Sequence, residues 1–239
     1  MRAVLCGANG AMGKLIDGIL GGEIIGRVSL DGENNVPKTF EELGTVEADV
    51  VIDFSHHTAV ADVLAYAKKI GAAAVIGTTG HTPEEKTMIA AAAEEIPVFF
   101  SGNMSLGIAV LCRLAKQAAA AFPDADIEIV EVHHIRKVDA PSGTALMLFN
   151  AIKEVRPEAV ANCGRAGEGK RTKEEIGIHA LRMGNVVGIH EIHIHTGSQS
   201  LTLKHESGSR AMLADGACDA ARFMVGKTKG LYSMESMLG

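Results

Sequence analysis

The feature that most constrains this chain is the regular alternation, over its first hundred or so residues, of short apolar runs with longer stretches of helical periodicity. The runs are Ala3 to Cys6, Ile24 to Leu30, Val50 to Phe54, Ala73 to Ile76 and Val98 to Phe100. Each is rich in Val, Ile or other apolar residues, as strands buried on both faces must be. Between them, Met12 to Leu20, Thr58 to Ile70 and Pro83 to Glu95 predict helices. Thr82, Pro83 and Glu85 form a helix start: a capping hydroxyl, a proline in the first turn and an early acid. Strands and helices that alternate in this way imply parallel strands and right-handed crossovers, so a doubly wound α/β sheet of Rossmann type is expected.

The pattern changes near Asn103. An Ala-rich helix, about Leu106 to Ala121, precedes a strand at Ile127 to Val132 and a helix at Thr144 to Val155. A Gly-, Lys- and Arg-rich loop follows at Asn162 to Lys173, then strand-like runs at Ile176 to Leu181, Val186 to His195 and Ser200 to His205. Strands so close in sequence predict a mixed or antiparallel sheet. A last helix, about Met212 to Val225, ends at Gly226. Two domains are expected: residues 1–104 with 213–239 as a nucleotide domain, and 105–212 as an inserted α+β domain.

Gly7, Gly10 and Gly13 lie in GANGAMG, directly after the first strand and opening the first helix. Glycines at such a turn let backbone approach a pyrophosphate at a helix N-terminus. Asn9 stands where the usual second glycine would be, and tolerance of left-handed backbone would let Asn keep the turn. Asp31 follows the second strand, where a ribose-binding carboxylate belongs. A carboxylate repels a 2′-phosphate, which favours NADH over NADPH, although Lys14 and Lys38 offer positive charge nearby. A glycine turn alone is equally consistent with a simple tight connection; the strand, the helix and Asp31 together favour a cofactor.

The segment Glu128 to Ala145, EIVEVHHIRKVDAPSGTA, concentrates chemistry. A histidine exchanges protons near neutrality, a lysine donates one or holds negative charge, and Ser142, Gly143 and Thr144 open a helix as a carboxylate site. Taken singly, His133 and His134 are alternating strand positions, Lys137 a solvated cation and PSGT a helix cap. Their convergence in one short segment favours catalysis. Arg136 either steers an anionic substrate or points to solvent.

This segment resembles the signature of the 4-hydroxy-tetrahydrodipicolinate reductase (dihydrodipicolinate reductase) family. The resemblance extends through GANGAMG, VIDFS at Val51 to Ser55, VIGTTG at Val75 to Gly80 and SGNMSLG at Ser101 to Gly107. It continues in LRMGNVVGIHE at Leu181 to Glu191 and HESGSRAMLADGA at His205 to Ala217. It implies that His133 is the catalytic proton donor or acceptor and Lys137 a second proton donor. It implies substrate contacts at His134, Ser142, Gly143 and Thr144, the latter two holding a carboxylate of a cyclic dicarboxylate. Gly7, Ala8, Asn9, Gly10, Ala11 and Met12 would bind the cofactor pyrophosphate. Gly77, Thr78 and Thr79, with Ser101, Gly102, Asn103 and Met104, would line the nicotinamide side. The family uses NADH or NADPH in diaminopimelate and lysine biosynthesis and forms homotetramers through its substrate domain. Two departures stand out: the stretch from Leu30 to Val50 is short, implying a reduced adenosine pocket, and His56 and His57 follow VIDFS, where they read as a loop or cap.

Composition narrows the alternatives. A net charge of −6 argues against a nucleic-acid partner, and no apolar stretch suffices for a membrane span. The start of the chain lacks signal-peptide features, and four scattered cysteines read as reduced thiols, so a cytoplasmic protein is expected. A metal-dependent hydrolase using His190, His193 and His195 is a weaker alternative, because no further ligand cluster completes a site, and no metal is expected. A nucleotide-binding sensor that has lost its chemistry is another; it would have no use for the His133 and Lys137 pair.

Overall fold

The computed structural model describes residues 1–239. The chain divides into two compact units, Met1–Ser105 with Ala211–Gly239, and Leu106–Arg210. The boundaries differ from the expected ones by one or two residues. Ser105 Oγ lies 3.9 Å from Met212 Sδ, and the last long helix starts at Ala211, so both ends of the linker region belong to the first unit.

The first unit is built on strands β1 (Ala3–Cys6), β2 (Ile24–Val28), β3 (Val50–Asp53), β4 (Ala73–Ile76) and β5 (Pro97–Phe100). With β11 (Gly230–Tyr232) they form a parallel six-stranded sheet ordered β11-β5-β4-β3-β1-β2. β1, β3 and β4 are buried at every position, which is why they read as continuous apolar runs. Helices α1 (Ala11–Leu20), α2 (Phe40–Leu43), α3 (Val60–Ile70) and α4 (Pro83–Ala92) link the strands. α4 begins with the expected device: Thr82 Oγ1 accepts from Glu85 N while the Glu85 carboxylate accepts from Thr82 N. Val4, Val51, Val63, Ala67, Ile76 and Val98 belong to the core that joins these layers.

In this order β1 is flanked by β2 on one side and β3 on the other, so the chain reverses direction across the sheet between β1 and β3. Ligands of open α/β sheets bind outside the carboxyl ends of strands at such a reversal. Those ends carry Gly7 and Phe54.

The second unit contains α5 (Leu106–Ala121), β6 (Asp126–His133), α6 (Gly143–Lys153), β7 (Val160–Cys163), β8 (Glu175–Arg182), β9 (Gly188–His195) and β10 (Ser200–Ser207). Its sheet is mixed, ordered β10-β9-β6-β8-β7, with β6 parallel to β8 and antiparallel to β9. Ile127, Ile129, Ile178, Ile192 and Ile194 point one way and pack on α5 and α6 through Leu111, Ala115, Leu148 and Ile152. β7 runs into the first two residues of the segment that reads in sequence as loop; its exposed, half-exposed pattern lacks the apolar alternation of a central strand. Helix α7 (Ala211–Met224) returns the chain to the first unit.

Candidate functional site

In the first unit the glycine-rich turn is shaped by contact distances that leave no room for side chains. Gly7 has φ +84°, and a Cβ there would lie 2.3 Å from the Phe54 carbonyl oxygen. A Cβ on Gly13 would lie 2.1 Å from the Gly7 oxygen, so α1 seats directly on the turn. Gly10, the N-cap of α1, offers no side-chain acceptor, leaving the helix start with the character of an anion site. Gly10, Ala11 and Met12 share a cleft of about 500 Å³ with Gly77, Thr78, Thr79, Gly102, Asn103 and Met104.

Five expected cofactor residues stand elsewhere. Gly7 and Ala8 are buried and absent from the cleft wall, as is Ser101, whose hydroxyl donates to Asn103 O at 2.6 Å. Asn9 is half-buried, and positive φ falls on Gly7, Gly32, Asn34 and Asn35 here, not on Asn9. Its role is side-chain bridging: Nδ2 donates to Asp31 Oδ1 at 2.6 Å and to Glu33 O at 3.0 Å. The hydrogen bonds from Asn9 and from Glu33 N hold the Asp31 carboxyl below its ordinary range, so it stays ionised. The Lys38 stem packs on Gly32, beside Asp31: a Cβ on Gly32 would lie 2.3 Å from Lys38 Cε.

The cleft also has walls that sequence reasoning assigned no contact role: Phe54, Ser55, His56, His57 and Leu213. The Phe54 ring occupies the space a Gly77 side chain would need, 2.2 Å from an added Cβ. Ser55 is fixed from below: its hydroxyl donates to the buried Asp53 Oδ1 at 2.5 Å and its N–H to Thr78 Oγ1 at 3.0 Å. His56 caps the short turn that follows, accepting from Thr58 N, while His57 Nδ1 meets the Glu85 carboxylate at 2.9 Å. On α7, Gly216 lets the Met104 carbonyl come within 1.8 Å of where its Cβ would be, so the Ser101–Met104 loop rests on that helix.

In the second unit β6 delivers Glu131 and His133 to the same buried face, because residues two apart on a strand share a side. Glu131 is 0 % exposed. Its Oε2 meets His133 Nδ1 at 2.5 Å, and Arg182 grips both oxygens at 2.9 Å each. The Ser142 N–H donates to Oε1 at 3.1 Å. Burial works against the charged carboxyl, but the hydrogen bonds from Arg182 and His133 prevail and hold Glu131 below its ordinary range. Ser142 caps α6 by accepting from Ala145 N, and its hydroxyl also meets His190 Nε2 at 3.2 Å. Burial pushes the His190 imidazole down to about 4, so it is neutral near pH 7. Its ring stands edge-on to His133, with centroids 5.1 Å apart.

His134 leaves the strand on the other parity. Burial and the cations Arg136 and Arg210 push its pKa down, and its Nε2 lies 3.3 Å from an Arg210 nitrogen. Lys137 pairs with Asp139 at 2.8 Å. Arg136 instead donates to the exposed Asn185 side chain at 2.9 Å. Gly143 and Thr144 head α6, immediately after the Ser142 cap. The histidines of β9 divide between faces: His190 lies on the buried side with Ile192 and Ile194, whereas His193 and His195 lie on the other. That splits the three ligands a metal site there would need. Taken together, the second unit sets a buried carboxylate–imidazole pair and a lysine close in sequence to a helix N-terminus, which is what proton transfer on a carboxylate-bearing substrate requires.

Comparison with known proteins bears on both units. Residues 1–104 match the model described as dihydrodipicolinate reductase, N-terminus, and residues 107–238 the one described as dihydrodipicolinate reductase, C-terminus. The chain is 42% identical to the 4-hydroxy-tetrahydrodipicolinate reductase of Caldanaerobacter subterraneus over 100% of its own length and 98% of the relative's. It is 40% identical to the enzyme of the same name from Clostridium tetani, over 100% of this chain and 97% of that one. A solved structure of a dipicolinate-bound dihydrodipicolinate reductase from Paenisporosarcina sp. TG-14 superposes with a TM-score of 0.80 at 26% identity, covering 98% of this chain and 97% of the other.

Proposed function

This chain belongs to the dihydrodipicolinate reductase family, and from that premise we propose that it reduces 4-hydroxy-tetrahydrodipicolinate to tetrahydrodipicolinate in diaminopimelate and lysine biosynthesis. The observation that carries the reading is the Glu131–His133 pair beside Lys137 and the α6 N-terminus. The reaction adds one hydride and one proton and releases one water. His133 and Lys137 are the groups that move protons, and the backbone of Gly143 and Thr144, with His134, holds the substrate's carboxylates.

The first unit fits a reduced nicotinamide dinucleotide. The close approach at Gly7 and Gly13 makes the kind of cradle a pyrophosphate needs, at the open start of α1. NADH or NADPH, when bound, supplies the hydride. Gly10, Ala11 and Met12 would hold the pyrophosphate, and Gly77–Thr79 with Gly102–Met104 would line the nicotinamide. The ionised Asp31 favours NADH, and Lys38 packed beside it permits NADPH.

The test is oxidation of NADH and of NADPH by the purified protein with freshly generated 4-hydroxy-tetrahydrodipicolinate. Turnover with both, and a higher kcat/KM for NADH, is expected. Cofactor binding without turnover would make the protein a sensor and sink the reading. We further propose assembly into a homotetramer through the sheet face that carries Val130, Val132 and Ile189, opposite the face packed on α5 and α6. Light scattering that gives a monomer mass would exclude it.

A further inference from the structure

An imidazole has two nitrogens, and one held by the protein leaves the other to serve a substrate. Glu131 shows which is which. Its two oxygens face four donor contacts: His133 Nδ1 and one Arg182 nitrogen at Oε2, the second Arg182 nitrogen and Ser142 N–H at Oε1. An ionised carboxylate only accepts, so the contact with Nδ1 is a hydrogen bond only when Nδ1 carries the proton. We infer that Glu131, clamped by Arg182, is a positioning residue that keeps neutral His133 protonated at Nδ1 and so makes Nε2 the nitrogen that exchanges protons. This rests on the reductase reading above.

Two further features agree. Gly188 on β9 leaves room beside that nitrogen: an added Cβ would lie 3.1 Å from His133 Nε2. Arg182 is what keeps Glu131 an acceptor, since a buried carboxyl without a cation tends to take up a proton. The charged and titratable groups around His133 are then Glu131 on its own strand, Arg182 on β8, neutral His190 on β9, and His134 and Lys137 just beyond the strand end. With Glu131 anionic beside it, the imidazolium formed when Nε2 takes a proton is stabilised in place. That proton comes from solvent water, Nε2 gives it to the substrate, and the imidazole ends neutral as it began.

Nitrogen NMR of protein labelled in its histidine rings tests this directly, with His133→Gln assigning the signal. Neutral His133 is expected to be protonated at Nδ1 in the unmodified protein, and a neutral ring protonated at Nε2 would overturn the inference without any need for a variant to fold. Glu131→Gln, whose amide brings donors as well as an acceptor, should raise the Nε2–H population. It should lower kcat on the order of a hundredfold, with KM for NADH unchanged. Glu131→Asp, which keeps the charge, should recover part of kcat and of the Nδ1–H signal. A Glu131→Gln protein with unaltered kcat and unaltered Nδ1–H population would also overturn the inference. The two readings fail differently: no turnover by the unmodified protein, with Nδ1–H intact, sinks the reductase reading and the catalytic part of this one. Full turnover with Nε2–H sinks only the assignment of the ring nitrogen.

Discussion

The two units prepare for their ligands by opposite means. In the first, the site is made by removing side chains: Gly7, Gly13, Gly77 and Gly216 stand where an added Cβ would meet backbone or an aromatic ring within 2.3 Å. In the second, it is made by adding charge: buried Glu131, His133 and Ser142 form a network with half-buried Arg182. Steric absence suits a ligand recognised through its phosphate backbone, whereas fixed charges suit a reaction in which protons move. The contrast teaches that a substitution in the first unit should be read in fit and stability, and one in the second in rate and pH.

The largest expected effect tests that division most sharply. His133→Gln and Lys137→Ala should each lower kcat by about 10²–10⁴-fold while leaving the Kd for NADH unchanged, as read by steady-state kinetics beside fluorescence titration. A parallel loss of NADH affinity would break the contrast.

Next comes pH. His190 is pushed down to about 4 in the folded chain against about 6.5 unfolded, so the unfolded state binds the extra proton between those values. Its contribution is therefore fully present above pH 6.5 and is lost as pH falls towards 4, on the order of 3 kcal/mol in all. Urea unfolding across that window should show the slope, and His190→Phe should flatten it. An unchanged slope would mean that other groups carry the acid sensitivity.

The smallest effect belongs to the first unit. Gly13→Ala places a methyl 2.1 Å from the Gly7 oxygen, and relieving that contact should cost about 1–3 kcal/mol of stability and weaken NADH binding. Thermal unfolding and titration check both. Wild-type values would show that the turn yields more easily than its spacing suggests.

The parallel sheet was legible because its strands are buried on both sides and its helix starts carry recognisable caps, as at Thr82. The three-residue edge strand Gly230–Tyr232 and the four-residue helix Phe40–Leu43 were not, since neither is long enough to show a period. Within the site, His133, Lys137 and the α6 N-terminus declared themselves by adjacency. Glu131 is readable only in principle, two positions before His133 on a strand, since a lone acid on a strand is ordinarily solvated and its type alone carries no signal. Arg182 was not readable: it reaches Glu131 only because β8 pairs with β6 so that His133 faces Arg182 across the ladder. Asn9 was given a backbone role on the strength of its residue type, and its amide turned out to matter more.

The return of α7 and β11 to the first unit has a consequence for how the chain is made. β11 closes the edge of the parallel sheet against β5, and α7 packs on α1, β3, β4 and β5. A ribosome that has delivered Met1–Ser105 has therefore released a sheet without its last strand and without one of its covering helices. Leu106–Arg210, by contrast, emerges as one uninterrupted stretch that holds all five strands of its sheet. During synthesis the inserted unit is the first of the two that can finish, and the segment made before it must wait, with apolar surface uncovered, for Ala211–Gly239.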